Sequence, residues 1–364
     1  MNRQVWTVRG WITYRKGLIG GEKMTKRQQI AVSIGVLISL IFLWVAFRNL
    51  HPEQVLGELE RVNPAWLILG AGWYFMAVLV ITLRWQYLLN AITNIPLKAL
   101  YPLVCIGYMG NNIYPFRSGE ALRIFLLWRN HDVPFIKGTT TVLVERVFDG
   151  IVMLSFIIIG LIFSDVASDE IRQVLIVAAP IFLLASMTFF VLSTKPQWLR
   201  AFVQFFNRFL PHHLHDIVEK ISEDVLHGLE GLRTPTQLVG TVISSYMTWM
   251  LEASVYWMVA WAFSLEASYA LMLLVVGTVN LAGLIPASPG QLGVFEFFVS
   301  TVLLAAGVAE ATALGYALTV HLVIWLPVTL VGVFFLLQQG LGWNAITHAH
   351  DKIEKPDSEI AHNH

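Results

Sequence analysis

Two apolar stretches of this 364-residue chain are interrupted where a membrane-crossing helix should run on. Residues 98–130 break at Asn111-Asn112-Ile113-Tyr114-Pro115-Phe116-Arg117-Ser118-Gly119-Glu120, and residues 269–308 break at Pro286-Ala287-Ser288-Pro289-Gly290-Gln291-Leu292-Gly293. An unpaired N–H or C=O in lipid costs several kcal/mol, so irregular backbone survives there only against protein or beside a wet cavity. In transporters, paired broken segments at matching places in two halves point to the binding site.

The rest of the chain places those breaks in a membrane protein. It is 56% hydrophobic and 13% charged, with mean hydropathy +0.64, beyond the range of a soluble domain of this length. Apolar runs predict full spans near 29–47, 65–88, 138–163, 172–194, 236–263 and 313–337. A formal net charge of zero supplies no field to attract nucleic acid. The single cysteine, Cys105, cannot form an intrachain disulfide or a thiolate metal cluster. His212, His213 and His215 lack carboxylates at fixed spacing, so no metal and no cofactor are expected.

Lys and Arg before residue 28 put the N-terminus in the cytoplasm by the positive-inside rule. Residues 1–28 read as a basic cytoplasmic segment; within it, residues 1–23 have no apolar run and are not a signal peptide, but either a cytoplasmic extension or a stretch upstream of a true start at Met24. The loops around 51–61 and 164–170 are mainly acidic and read as outside, whereas the basic residues of 195–235 read as inside. Within that region, 200–232 has helical apolar spacing and either lies on the inner membrane face or packs on the bundle. The polar tail 341–364 is expected to be disordered and cytoplasmic. Parity then requires 98–130 to enter and leave from the cytoplasm and 269–308 from outside. The expected fold is all-α and polytopic, with about six full spans and two re-entrant helical hairpins, forming an inverted repeat over residues 29–340. The alternative makes each broken segment a pair of ordinary short helices.

A charge at bilayer depth costs about 2.5–3.5 kcal/mol, so each one faces the interior, pairs, or meets substrate. In the first break, Asn111, Asn112, Arg117, Ser118, Glu120 and Arg123 surround a helix start with free N–H groups and guanidinium donors suited to phosphate. Glu120 can also pair with Arg123 three residues on, and both roles can hold at once. In span 138–163, Glu145, Arg146 and Asp149 crowd little more than one turn and are expected to hold the first hairpin or couple to its movement. In the second break, Asn280, Ser288, Gly290 and Gly293 suit a nest of N–H donors; Glu296 is either a helix cap or a proton or cation ligand. Glu252 shares a helix face with Trp249 and Tyr256 and has no arginine in its helix, so its partner comes from another span or it is protonated. Arg84 snorkels or pairs, and His321 reads as a buried, hydrogen-bonded histidine.

Three motifs in order, from Asn111 to Arg123, from Glu145 to Asp149 and from Pro286 to Glu296, resemble the lysylphosphatidylglycerol synthase transmembrane-region family. That family is the flippase-like half of bacterial aminoacyl-phosphatidylglycerol synthases and also occurs alone. The resemblance covers roughly residues 29–340 and implies a flippase-like fold in a bacterial-type plasma (inner) membrane. Gln291 departs from it where a second glycine is usual, which implies a stiffer loop. No aminoacyl-transferase sequence follows Leu341, so the lysyl-lipid substrate is not carried over.

The expected function is transport of an anionic lipid head group, phospho- or polyprenyl-phosphate-linked, with no catalytic residues. The alternatives are a membrane transferase on a lipid-phosphate donor and an accessory subunit working beside a separate lipid-modifying enzyme. Against a transferase, the chain shows no outer-loop aspartate pair and no nucleotide loop.

Overall fold

The computed structural model describes residues 26–47, 52–90, 92–114, 118–164, 235–283 and 287–339, with isolated positions 166, 180, 184, 187, 197 and 285. The expected span 172–194, the amphipathic stretch 200–232, both termini and Arg117 lie outside the described residues. Among the described residues every regular element is a helix and no strand occurs. The helices are α1 Lys26–Phe47, α2 Pro52–Glu60, α3 Pro64–Leu89, α4 Leu97–Ile113, α5 Gly119–His131, α6 Phe135–Phe163, α7 Pro235–Ala262, α8 Tyr269–Ala282, α9 Val294–Ala305 and α10 Glu310–Gln338.

Local signals fix several of their ends. Asn63 caps α3 by accepting the Ala65 N–H at 3.0 Å, with Pro64 in the first turn. Ser268 caps α8 through the Leu271 N–H at 3.1 Å. Each broken segment contains two short helices, α4 and α5 in the first and α8 and α9 in the second. In the first, Gly110 abuts Gly119 and Gly107 abuts Arg123, so α5 runs back along α4. In the second, the turn between α8 and α9 passes through left-handed backbone at Gly290 (φ +68°), Gln291 (φ +59°) and Gly293 (φ +88°).

Three helices, α3, α6 and α10, are long and apolar enough to cross a membrane, and they coincide with three of the expected spans. At 28 residues, α7 is long enough too, but polar residues lower its hydropathy. Those residues face inward: Thr241, Ser245, Thr248 and Glu252 are buried, while Val239, Ile243, Met247 and Met250 are exposed. A helix with its polar side buried and its apolar side outward belongs in lipid. The outer face is apolar elsewhere as well, with Ile68 74% and Phe163 71% exposed.

Exchanging α3 with α7, α4 with α8, α5 with α9 and α6 with α10 maps the helix packing onto itself. The central pair α3–α7 exchanges with itself. α6 packs on α8, and α10 correspondingly packs on α4. The contacts α4–α5 and α5–α6 match α8–α9 and α9–α10. Each half therefore lays the first arm of its broken segment against the fourth helix of the other half.

Glycines make that crossing close. A Cβ at Gly160 of α6 would lie 2.5 Å from the Leu274 Cβ of α8, and one at Gly277 of α8 would lie 2.7 Å from Ile157. In the other half, a Cβ at Gly332 of α10 would lie 2.5 Å from the Cys105 carbonyl of α4.

A buried ion pair locks the central helices. Arg84 of α3 is 1% exposed, and its Nη1 donates to Asp149 Oδ1 of α6 at 2.5 Å and to Ser245 Oγ of α7 at 3.3 Å. Trp249 of α7 donates its indole N–H to the same carboxylate oxygen at 2.7 Å. Arg84 thus pairs within the protein and does not snorkel.

Two predictions follow from this packing. Gly160→Val and Gly332→Val should each lose about 1–3 kcal/mol, the range for overpacking a filled core, in thermal unfolding of the detergent-solubilised protein. Gly72→Ala, where nothing lies within 4 Å of the added carbon, should lose none. Arg84→Met should lose about 3–5 kcal/mol by stranding buried carboxylates. Adding Asp149→Asn to Arg84→Met should restore part of that loss; a double variant less stable than Arg84→Met would refute the ion-pair account.

Candidate functional site

A polar cavity of about 140 Å³ lies where the two broken segments meet. From the first segment, Tyr108, Asn111 and Asn112 of α4 and Glu120 and Arg123 of α5 line it. Asn280 of α8, Gly290, Gln291 and Phe295 of α9 come from the second. The long helices close the walls with Tyr74 of α3, Arg146 of α6, Trp249, Glu252 and Tyr256 of α7, and His321 and Trp325 of α10.

The asparagines of the first turn hold its shape while facing the cavity. Asn111 Oδ1 accepts the Gly119 N–H at 2.9 Å and so fastens the start of α5 to the end of α4. Asn112 Nδ2 donates to Thr329 Oγ1 at 2.8 Å and to the Trp325 carbonyl at 3.3 Å, which ties the same turn to α10. Ser118 stands at the cap of α5, outside the cavity lining.

The charges pair between helices and not within α5 as the spacing suggests. Arg123 reaches Glu145 of α6 in a buried ion pair and lies 4.3 Å above the centre of the Trp85 ring. Glu120 instead faces Arg146, at 3.8 Å. Arg146 also lies 3.4 Å from Asp149, the partner three residues along its own helix. The Glu145 carboxylate is fully buried, with Arg84 Nε 3.7 Å away. Arg84 and Arg123 are buried, whereas the Arg146 side chain is 39% exposed, so it is the most accessible guanidinium of the three. Glu145 and Asp149 stand behind the wall and position the arginines.

The second segment is built around Glu296. Its Oε2 accepts the Gly293 N–H at 2.6 Å, which caps α9, and its Oε1 lies 2.6 Å from His321 Nδ1. The His321 ring stacks on Phe295 with centroids 4.2 Å apart. Arg123–Glu145 and Glu296–His321 hold equivalent places: each joins the start of a returning arm to the next long helix. Ser288 and Gly293 face α1 and not the cavity. The Ser288 N–H donates to Ser39 Oγ at 2.8 Å, and Gly293 abuts Ser39 and Leu43. Gly290 is on the cavity side, where an added Cβ would lie 2.7 Å from Trp325 Nε1.

Glu252 is 5% exposed, with the Asn280 side chain as its hydrogen-bonding neighbour. Two further polar groups on this wall have no hydrogen-bond partner, the Tyr256 hydroxyl and the Trp325 indole N–H. Sequence reasoning missed Tyr74, Tyr108 and Trp325, because an aromatic residue in an apolar helix carries no mark separating a cavity wall from packing. Among the described residues, no group of three or more His, Cys, Asp or Glu side chains is placed to hold a metal ion.

Comparison with known proteins places this architecture. The chain is 22% identical over 333 residues to a UPF0104 membrane protein of Pyrococcus horikoshii, covering 86% of this chain and 98% of that protein. It is 22% identical over 319 residues to a UPF0104 membrane protein of Methanothermobacter thermautotrophicus, covering 83% and 93%. A third relative, glycosyltransferase AglD of Haloferax volcanii, is 22% identical over 370 residues, covering 93% of this chain but 59% of that protein. A family model matches residues 32–332, so the chain belongs to the family described as the lysylphosphatidylglycerol synthase TM region.

Proposed function

We propose that this protein moves the anionic head group of a lipid, phospho- or polyprenyl-phosphate-linked, between the leaflets of a plasma membrane. The observation that carries this reading is the cavity itself, a polar site formed by both broken segments among helices with apolar outer faces. In this reading the two segments are re-entrant hairpins, the first opening to the cytoplasm and the second to the outside, with both chain termini cytoplasmic. The packing that survives exchange of the two halves supports an inverted repeat, in which such a cavity sits near the bilayer midplane.

The head group enters between the hairpins while its acyl or prenyl chains stay in lipid. Arg146, the accessible guanidinium, meets the phosphate, and Arg117, next to Ser118 in the sequence, is the second proposed donor to the phosphate. The Asn111 amide N–H and the unpartnered Trp325 N–H and Tyr256 hydroxyl offer hydrogen bonds to its oxygens, while Asn112 and Asn280, whose amide N–H groups are engaged by protein acceptors, shape the walls beside it. Glu120 holds Arg146 in the empty cavity, yields it to the guest, and takes it back when the guest leaves.

One observation favours a second reading. The relative named glycosyltransferase AglD aligns with nearly all of this chain while using 59% of its own length. A module of this kind could serve a lipid-linked transferase, either in one chain or beside a separate lipid-modifying enzyme.

The deciding assay is flipping of fluorescent phosphatidylglycerol in proteoliposomes, read as access of dithionite to the inner-leaflet label. Wild type should flip the lipid without changing its mass. Arg146→Ala should slow flipping about tenfold or more, as expected for losing a charge-assisted hydrogen bond of about 1.5–3 kcal/mol. Arg117→Ala should slow it as well. A folded wild type that flips no anionic lipid, polyprenyl phosphates included, would sink the transport reading. A product of new mass when a lipid-phosphate donor and an acceptor are supplied would establish the transferase.

A further inference from the structure

Among the described residues, one buried carboxylate of the cavity meets no cation. Arg84, Arg123 and Arg146 are matched by Glu120, Glu145 and Asp149. Glu296 is held by His321. Glu252 is left over: among the described residues no Arg, Lys or His forms an ion pair with it, yet it is 5% exposed in the middle of α7. An ionised carboxylate buried without a counter-charge is far more costly than a neutral acid.

Its surroundings reinforce this. Tyr74 comes from α3, Tyr108 from α4, Asp149 from α6 and Tyr256 from α7 itself; α8 contributes only the amide of Asn280. From α5, Glu120 and Arg123 share the cavity; α10 brings His321, whose Nδ1 is engaged by Glu296, and α6 brings Arg146, engaged by Glu120 and Asp149. The wall around Glu252 thus brings together hydroxyls, an amide and a second carboxylate. The Tyr256 hydroxyl, one helical turn away and fully buried, has no partner of its own. A carboxyl that gains and loses a proton is the chemistry this wall accommodates.

We propose that Glu252 is a reversible proton-binding site, and that its protonation admits the negative charge of a phosphate to the cavity. The carboxylate takes a proton from water to become the neutral acid, and no other bond is made or broken. With Glu252 ionised, a carboxylate that meets no cation among the described residues opposes an entering phosphate; with the proton bound, that opposition is gone. The linkage to phosphate rests on the anionic-lipid reading above, whereas the proton site does not.

Infrared difference spectra of the purified full chain, recorded between acidic and alkaline sodium-free buffers, test the first part. A protonated-carboxyl band should titrate in wild type and in Glu310→Gln, and be missing from Glu252→Gln. Should Glu252→Gln not fold, Glu252→Asp should move the frequency of that band. Spectra identical in wild type and in these Glu252 variants would overturn the proposal. A band that vanishes on adding sodium at constant pH would overturn the proton in favour of a metal cation.

The second part is read as proton uptake from weak buffer on adding dihexanoyl phosphatidylglycerol, with dihexanoyl phosphatidylcholine as the control. Wild type should take up protons with the anionic lipid, and Glu252→Gln should lose that uptake. A titrating band without any uptake would keep the proton site and overturn its linkage to phosphate.

Discussion

Arg84 is a guanidinium almost completely enclosed at the junction of α3, α6 and α7, and the polar interior is arranged around its neutralisation. Asp149 meets it head-on, Glu145 approaches its Nε, and Trp249 donates to the carboxylate oxygen that Arg84 also uses. Each partner then constrains something further out. Glu145 holds Arg123 and through it the returning arm α5; Asp149 holds Arg146, which faces Glu120 across the cavity. Buried pairs are weak sources of net stability, because desolvation offsets most of their attraction. Breaking one is costly, and that asymmetry makes such a network a device for fixing geometry. Here it fixes where two arginines stand relative to the first turn.

The second half solves the same mechanical problem with different chemistry. Where α5 is fastened to α6 by an arginine and a glutamate, α9 is fastened to α10 by a glutamate and a histidine. Glu296 does two tasks at once, capping α9 through the Gly293 N–H and holding His321. The halves are therefore alike in packing and unlike in charge: both sides of the cavity carry amides and a carboxyl group, but the guanidinium groups line one side and an imidazole the other.

Much of this was legible in the sequence because lipid punishes irregular backbone. The breaks near Pro115 and Pro286 stand out against apolar flanks, and the helix ends at Ile113 and Ala282 and starts at Gly119 and Val294 follow them. Expected spans 65–88, 138–163, 236–263 and 313–337 coincide with α3, α6, α7 and α10. What was not legible is which side chain meets which. Spacing along one helix offers Glu120 to Arg123, but the long helix α6 brings Glu145 and Arg146 into reach, and each arm residue takes a partner there. Ser288 and Gly293 are suited by composition to a nest of N–H donors, yet α1 lies against them and uses the Ser288 N–H. That docking is invisible to any local pattern, since nothing in residues 286–293 encodes the approach of Ser39.

Gln291 shows how a small departure acquires structural meaning. A side chain at left-handed φ is disfavoured by about 1–2 kcal/mol relative to the common helical region, and glycine avoids that penalty. Gln291 nonetheless adopts φ +59° between two glycines that are also left-handed. Its side chain lines the cavity and its Nε2 lies 3.4 Å from the Gly283 carbonyl, at the end of the incoming arm. The residue thus links the two arms of the second segment across their own turn, as Asn111 does in the first. A glycine there would relieve the backbone but remove the link. The strain thus accompanies a polar side chain that both lines the cavity and braces the loop.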